Sequence, residues 1–482
     1  MTQRENLDPA DWSTFRRLSH EALDAALDDL MTLRERPVWR ETPPEVLAQL
    51  DDAAPDEGVG LAQALGEFDA CIKPYGVGNR HPAFFGWAHG AGTAVGMVAD
   101  MLASGLNLNC GGRNHIGVEL EKKIARAMAR RFGFPEGASG LLLTGASQAN
   151  FLGVLIARHA ALGAQVRELG LQGAPLCAYA SAEAHGCVPQ AFDLAGLGRA
   201  ALRRIPCDDQ GRMRLDLLRD SLAADRAAGL RPFLLVATAG TVNFGAFDPL
   251  DALADIAARE KLWLHVDGAF GALTQFSRQL GHLVAGVERA DSIAFDFHKW
   301  AHIPYDAGFI LVRDGAAQRA AFASPAAYLG RTETGLAKGD TWPCDLGPDL
   351  SRGFRALKVW MTLRAFGWRR LSESMERNCA NARHLAGLVA RSDLFELAAP
   401  VPLNIVCFRL KDADDSANRR LVELLQEDGV AAPSLTLLDG RTTIRCAIFN
   451  HRTDRADIEA FFEAASHRAL GLGLTEQTHQ GS

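Results

Sequence analysis

Six short apolar runs between residues 141 and 312 constrain the fold of this chain more than any other feature. They are L-L-L-T (141–144), L-C-A-Y-A (176–180), F-L-L-V-A-T (233–238), L-W-L-H-V-D (262–267), S-I-A-F-D-F (292–297) and G-F-I-L-V (308–312). Several are separated by helical segments, for example Asp248 to Glu260. Strands covered by helices on both faces lose polar alternation and read as continuous apolar runs. The pattern therefore predicts an α/β domain built on a mostly parallel sheet. Before it, Leu23, Leu27 and Leu30 lie at helical spacing within residues 12–36, Pro37 breaks the pattern, and Pro43-Pro44 begins a second short helical stretch. After about residue 350 a long helical region rich in Arg and Leu is expected. It leads into N-I-V-C-F-R-L and T-T-I-R-C-A-I-F, which read as antiparallel strands, with helices at 416–428 and 454–467. The expected division is a helical arm over 1–80, a large α/β domain over 81–350 and a small α+β domain over 351–482.

Composition narrows the function classes. A chain of 482 residues, 48% apolar and 23% charged, is ordinary for a globular protein of two or three domains. A net charge of −7 with no long basic run argues against a nucleic-acid partner. No stretch approaches the roughly eighteen unbroken apolar residues of a membrane helix, and the N-terminus lacks the apolar core of a signal peptide. Nine cysteines, an odd number without a C-x-x-C pair, suggest reduced thiols. The expectation is a cytoplasmic protein with a small-molecule substrate, no nucleic-acid or membrane partner and no metal.

Two of the predicted strands end on chemistry. W-L-H-V-D-G-A ends on Asp267, and S-I-A-F-D-F-H-K-W carries His298 and Lys299. An acid at one strand end and a lysine at a later one match the needs of pyridoxal phosphate: an amine to form a Schiff base with its aldehyde, and a carboxylate to hold its pyridine nitrogen protonated. Ligands gather outside the carboxyl ends of such strands. Taken alone, D-G is also a turn signal and a lysine after a strand is usually solvated. L-T-G-A-S-Q-A-N (143–150) ends a strand and opens a helix, so its first amides are free for an anion. It reads equally as an ordinary strand–helix turn.

These residues also carry a family resemblance. D-G-A, then H-K-W, then P-Y-D-A-G, in that order, is similar to the group II pyridoxal phosphate-dependent amino-acid decarboxylases, which include aromatic amino-acid, glutamate and histidine decarboxylases. The similarity runs from H-P-A-F-F near His81 through R-G-F-R-A-L-K-V-W to I-R-C-A-I-F-N-H-R-T. It implies a fold-type I enzyme, a homodimer on which the N-terminal arm packs, and pyridoxal 5'-phosphate as cofactor. By match to the family, Lys299 binds the cofactor, Asp267 faces its ring nitrogen, and His185 stacks on the ring opposite Ala269. Ala146 and Ser147 hold the phosphate, while Thr241 and His298 lie near the cofactor. Tyr328, in S-P-A-A-Y-L, belongs to a mobile loop and returns a proton to the α-carbon. Phe84 and Trp87 line the side-chain pocket, where Ala88 and Gly90 stand in place of larger family residues. Arg352 and Arg445 are candidate anion contacts left unassigned.

The implied reaction is α-decarboxylation of an aromatic or related L-amino acid to an amine. Alternatives on the same fold are oxidative decarboxylation to an aldehyde, transamination or elimination. A dinucleotide-binding dehydrogenase is disfavoured, because no G-x-G-x-x-G follows an early strand.

Overall fold

The computed structural model describes residues 6–324 and 330–472. Each of the six apolar runs becomes a strand. With one more they form a seven-stranded sheet: β1 (Ser139–Leu143), β2 (Leu176–Ser181), β3 (Leu202–Ile205), β4 (Arg231–Thr238), β5 (Trp263–Asp267), β6 (Ser292–Asp296) and β7 (Gly308–Val312), in the order β1-β7-β6-β5-β4-β2-β3. Neighbours from β6 across to β3 pair in parallel. β7 runs antiparallel between β1 and β6, so β1 again points the same way as β6. β1, β2 and β4 to β7 are almost wholly buried, which is why their sequences show no alternation. The unforeseen strand is β3, at the sheet edge, where Arg203 and Arg204 interrupt the apolar pattern.

The helix Ala146–Leu162 follows β1 and packs across β7 and β6. Its first turn thereby lies beside the ends of the strands that carry the predicted acid and lysine. Behind it, Arg352 is buried against Glu121 (2.6 and 3.0 Å), and the Glu121 carboxylate accepts the Leu142 amide at 2.9 Å. Removing one partner from such a buried pair costs about 3–5 kcal/mol. Arg352 is thus a brace between β1 and the helix Ile116–Arg131, and it does not reach the site described below.

The expected long helix spans Arg355–Ala390, with a break at Gly367 (φ 65°), where a side chain would be strained. The expected antiparallel pair is β9 (Ile405–Leu410) with β11 (Arg441–Ala447). β8 (Phe395–Leu397) and β10 (Ser434–Leu438) complete a four-stranded sheet in the order β10-β11-β9-β8. Helices Asp415–Glu427 and Arg455–Gly471 cover it. Two buried clusters tie the chain together. One runs from the seven-stranded sheet through Phe354, Val359 and Met375 to Ile405 and Phe449. The other joins Phe85 to Leu385, Phe408 and Phe461, so the segment after His81 is inserted into the C-terminal core. Among the described residues no helix is long and apolar enough to cross a membrane.

Candidate active site

A cavity of about 470 Å³ opens at the carboxyl ends of β1, β2, β4, β5 and β6. Its walls include Ala146, Ser147, His185, Asp267, Ala269, His298, Lys299 and Trp87, eight of the predicted residues brought together from five segments.

Lys299 lies in the short helix Phe297–Trp300 that follows β6, with Nζ 3.2 Å from the Asp296 carboxylate. Asp296 also accepts the Ala146 amide at 2.6 Å, which joins the lysine to the first turn of the helix Ala146–Leu162. His298 Nδ1 accepts the Ala307 amide at 3.1 Å, so its proton belongs on Nε2, facing Asp296 at 3.6 Å. Burial pushes the His298 pKa down, in keeping with a neutral ring. Asp296 was not anticipated. Its signal was a charged residue inside an apolar strand, three positions before the lysine.

Asp267 is 3% exposed and accepts the Ala269 amide at 3.3 Å. Among the described residues no cation forms an ion pair with it. A buried carboxylate without a cation is costly, so the cavity calls for a positive group at this position. On the neighbouring strand Thr238, in register with Asp267, has a buried hydroxyl with no partner and also lines the cavity. The helix Ala146–Leu162 starts from Gly145, which has no side chain to cap it; Asp296 takes the Ala146 amide, and the next amides, of Ser147 and Gln148, are left to an anion. An amine, an unpaired acid, an orphan hydroxyl and an uncapped helix start fit the aldehyde, ring nitrogen and phosphate of pyridoxal phosphate.

His185 lies beyond β2, its orientation set by the Cys187 amide donating to Nδ1 at 3.1 Å. Cys187 itself lines the cavity, and burial pushes its thiol up to about 12, so it stays protonated. Asn150 donates to its sulfur at 3.3 Å and accepts from His265 Nε2 at 2.7 Å. Ser292 Oγ meets His265 Nδ1 at 2.7 Å and accepts from the Trp263 indole at 2.8 Å. Burial holds the His265 pKa down at about 4, so this relay stays uncharged while it ties β5 and β6 to the helix.

The other end of the cavity is assembled from distant segments. Trp87 adopts φ 49°, an uncommon conformation for a bulky residue. It is held there by its amide on Ser434 Oγ (3.3 Å) and its carbonyl on Arg445 Nη1 (3.1 Å). Gly90 packs against the backbone of the lysine segment, where a methyl would overlap the carbonyls of His298 and Lys299. Tyr305 stacks on His298 with ring centres 4.2 Å apart. Arg445, 4% exposed, lines this end. It donates to the carbonyls of Val242, Asn243 and Trp87, and among the described residues it has no carboxylate partner.

Two predicted residues lie elsewhere. Phe84 is buried with Val38 and Ala432, behind the wall. Thr241 is fully buried in a turn, where its hydroxyl accepts the Ala246 amide at 2.9 Å, and it does not line the cavity. Thr238 supplies the free hydroxyl instead. Tyr328 lies outside the described residues. The polar run after it, expected as a lid, is tethered from Arg331 onward, with Arg331 on Asp345 at 2.5 Å and the Leu336 carbonyl accepting the Asn114 amide at 2.8 Å.

A lysine and an unpaired acid at the ends of parallel strands, beside an uncapped helix start, define the class of pyridoxal phosphate enzymes. Comparison with known proteins narrows this. The model of the pyridoxal-dependent decarboxylase conserved domain matches residues 43–411. Aromatic-L-amino-acid decarboxylase of Bacillus atrophaeus is 30% identical over 453 residues, covering 91% of this chain and 92% of the relative. Phenylacetaldehyde synthase of Arabidopsis thaliana is 28% identical over 487 residues, covering 97% and 98%. The crystal structure of Oryza sativa TDC with PLP and tryptamine superposes with a TM-score of 0.88 at 26% identity, covering 97% of this chain and all of that one. The chain belongs to the pyridoxal-dependent decarboxylase family, and is a carboxy-lyase that uses pyridoxal phosphate to decarboxylate an amino acid.

Proposed function

We propose that this enzyme decarboxylates an aromatic L-amino acid to the corresponding amine and carbon dioxide. The observation that carries the reading is the distribution of charge in the cavity. Its two acids, Asp267 and Asp296, lie with Lys299 at the cofactor end. Away from them the lining offers Trp87, His89, Val242 and Leu435, with Arg445 as the one charged group there among the described residues, and Tyr305 lies against His298. A cationic side chain would find no counter-charge there, whereas a flat ring finds aromatic faces and a carboxylate finds a guanidinium. The relatives named for aromatic substrates support the same class.

When bound, pyridoxal phosphate supplies an aldehyde that joins amines and a pyridine ring that accepts the electrons released as a carboxylate leaves. The residues divide the remaining work. Lys299 would hold the cofactor through its amine. Asp267 keeps a proton on the ring nitrogen. Ser147 and the free amides around it hold the phosphate, with Ala146 leaving room. His185, Ala269 and the Thr238 hydroxyl would hold the ring, and neutral His298 stands beside the lysine. Tyr328 delivers a proton to the α-carbon that the carboxylate has left.

Incubating the purified enzyme with each natural amino acid, and measuring carbon dioxide, amine, aldehyde and ammonia together, tests this reading. Carbon dioxide and amine in equal amounts from an aromatic amino acid are expected. Release only from a diamino acid would overturn it. The likeness to phenylacetaldehyde synthase makes the product a separate question. Tyr328→Phe keeps the ring and removes the proton donor, so carbon dioxide should still be released. Aldehyde and ammonia should then rise at the expense of amine, with oxygen consumed. A parent enzyme that already makes mainly aldehyde, or a variant with unchanged product ratio, would count against the role of Tyr328.

The functional unit in this reading is a homodimer. Trp12, Phe15, Phe68 and Ile72 from the N-terminal helices are exposed, as are Met101, Leu102 and Leu106 on the helix Ala94–Leu106. Apolar surface of this extent is suited to a second copy. Sedimentation should give twice the 51.9 kDa chain mass, and an active monomer at assay concentration would refute the dimer.

A further inference from the structure

The imidazole of His89 is packed against three aromatic rings and has no hydrogen-bond partner among the described residues. Its ring is stacked on Phe84 (5.8 Å between centres, 8° between planes) and on Trp87 (5.8 Å, 28°), and Tyr305 meets it edge-on at 6.1 Å. One residue on, Gly90 seats this segment against the backbone carrying Lys299, so the ring cannot drift along the wall. It is half-buried and lines the substrate end of the cavity. No described residue forms a hydrogen bond to either ring nitrogen. Half-buried in the cavity wall, the ring offers these nitrogens to a group that enters the cavity.

Burial, with Lys299 adding to it, pushes the His89 pKa down, so the ring is neutral near pH 7. A neutral imidazole offers one N–H donor and one acceptor lone pair, and no charge. Both are used at once by a group that itself donates and accepts. On a flat side chain lying along these rings, such a group is a hydroxyl.

We propose that His89 is a specificity-determining residue that hydrogen-bonds a hydroxyl on the substrate ring, giving the enzyme a preference for phenol or catechol side chains over phenyl. The inference rests on the aromatic reading above and sharpens it. The aromatic faces of Phe84 and Trp87 fix the imidazole plane, and the hydroxyl distinguishes two substrates that otherwise fill the cavity alike. A site built to hydrogen-bond a substrate hydroxyl leaves its own polar group unpaired when the hydroxyl is missing, which is the source of the discrimination.

Tyrosine and phenylalanine differ by that hydroxyl alone, and so do the amines tyramine and phenethylamine. The test measures kcat/KM for the two amino acids and Kd for the two amines by calorimetry, in the parent, His89→Phe and His89→Gln. The parent should favour the hydroxylated member of each pair. His89→Phe, which keeps the stack, should lower both ratios by about tenfold, and His89→Gln, which keeps a donor and an acceptor, should retain most of the preference. Ratios unchanged in His89→Phe, or equal losses for both members of a pair, would overturn the role of His89 while leaving the aromatic reading intact. A parent that turns over neither amino acid nor any other aromatic one would overturn both.

Discussion

Asp267→Asn is expected to lower kcat by about 10²–10³-fold, the scale of losing one preorganised electrostatic contact in a water-poor site. The buried carboxylate has one hydrogen bond, from the Ala269 amide, and no ion-pair partner among the described residues. An asparagine accepts that bond equally well and fills the same space, so the fold and the cavity should survive. What disappears is the negative charge that favours a proton on a ring nitrogen facing it. The variant should still take up pyridoxal phosphate, read as the absorbance of the bound cofactor, while carbon dioxide release falls. Near-parental turnover would make Asp267 a strand-end acceptor for Ala269 and nothing more.

The second large effect is expected at Lys299. In the parent, borohydride should fix the cofactor covalently, and peptide mapping should find it on Lys299. Lys299→Ala should remove that labelling and lower turnover by about 10⁴-fold or more, because an amine held in place acts at an effective concentration free amines do not reach. The substitution also leaves buried Asp296 without its ammonium partner at 3.2 Å. Lys299→Arg, which keeps the charge, separates loss of the amine from loss of the ion pair: it should fold as the parent does and remain unlabelled. A label found on Lys73 or Lys338 would sink the assignment.

The six apolar runs and the two residues at their ends were legible in the sequence for one physical reason. A strand covered on both faces has to be apolar throughout, and in a parallel sheet the chain turns into the site directly after the last strand residue. Asp267 and Lys299 therefore stand beside the pattern that reveals the strands. β3 escaped notice because an edge strand can carry Arg203 and Arg204 in the middle of its span. Thr238 and Thr241 lie three residues apart, and what separates them is that the first ends β4 facing the cavity while the second is folded into the turn beyond it, bonded to the Ala246 amide. No local pattern marks that difference.

Of the wall beyond the acid and the lysine, the sequence marked Trp87 through the family resemblance and offered Arg445 as a candidate, and the tertiary structure decided the rest. Trp87 and Ser434, 347 positions apart, meet through one hydrogen bond, and Arg445 is fixed by carbonyls from Trp87, Val242 and Asn243. In the sequence Arg445 is one arginine among many; burial without a counter-ion is what gives it meaning. His89 likewise reads as an isolated histidine until Phe84, Trp87 and Tyr305 close around it. The acid and the lysine were thus legible locally, because each stands at the end of its own strand or directly after it. The rest of the cavity wall was decided by packing, because its surfaces lie on segments that only the fold brings into contact.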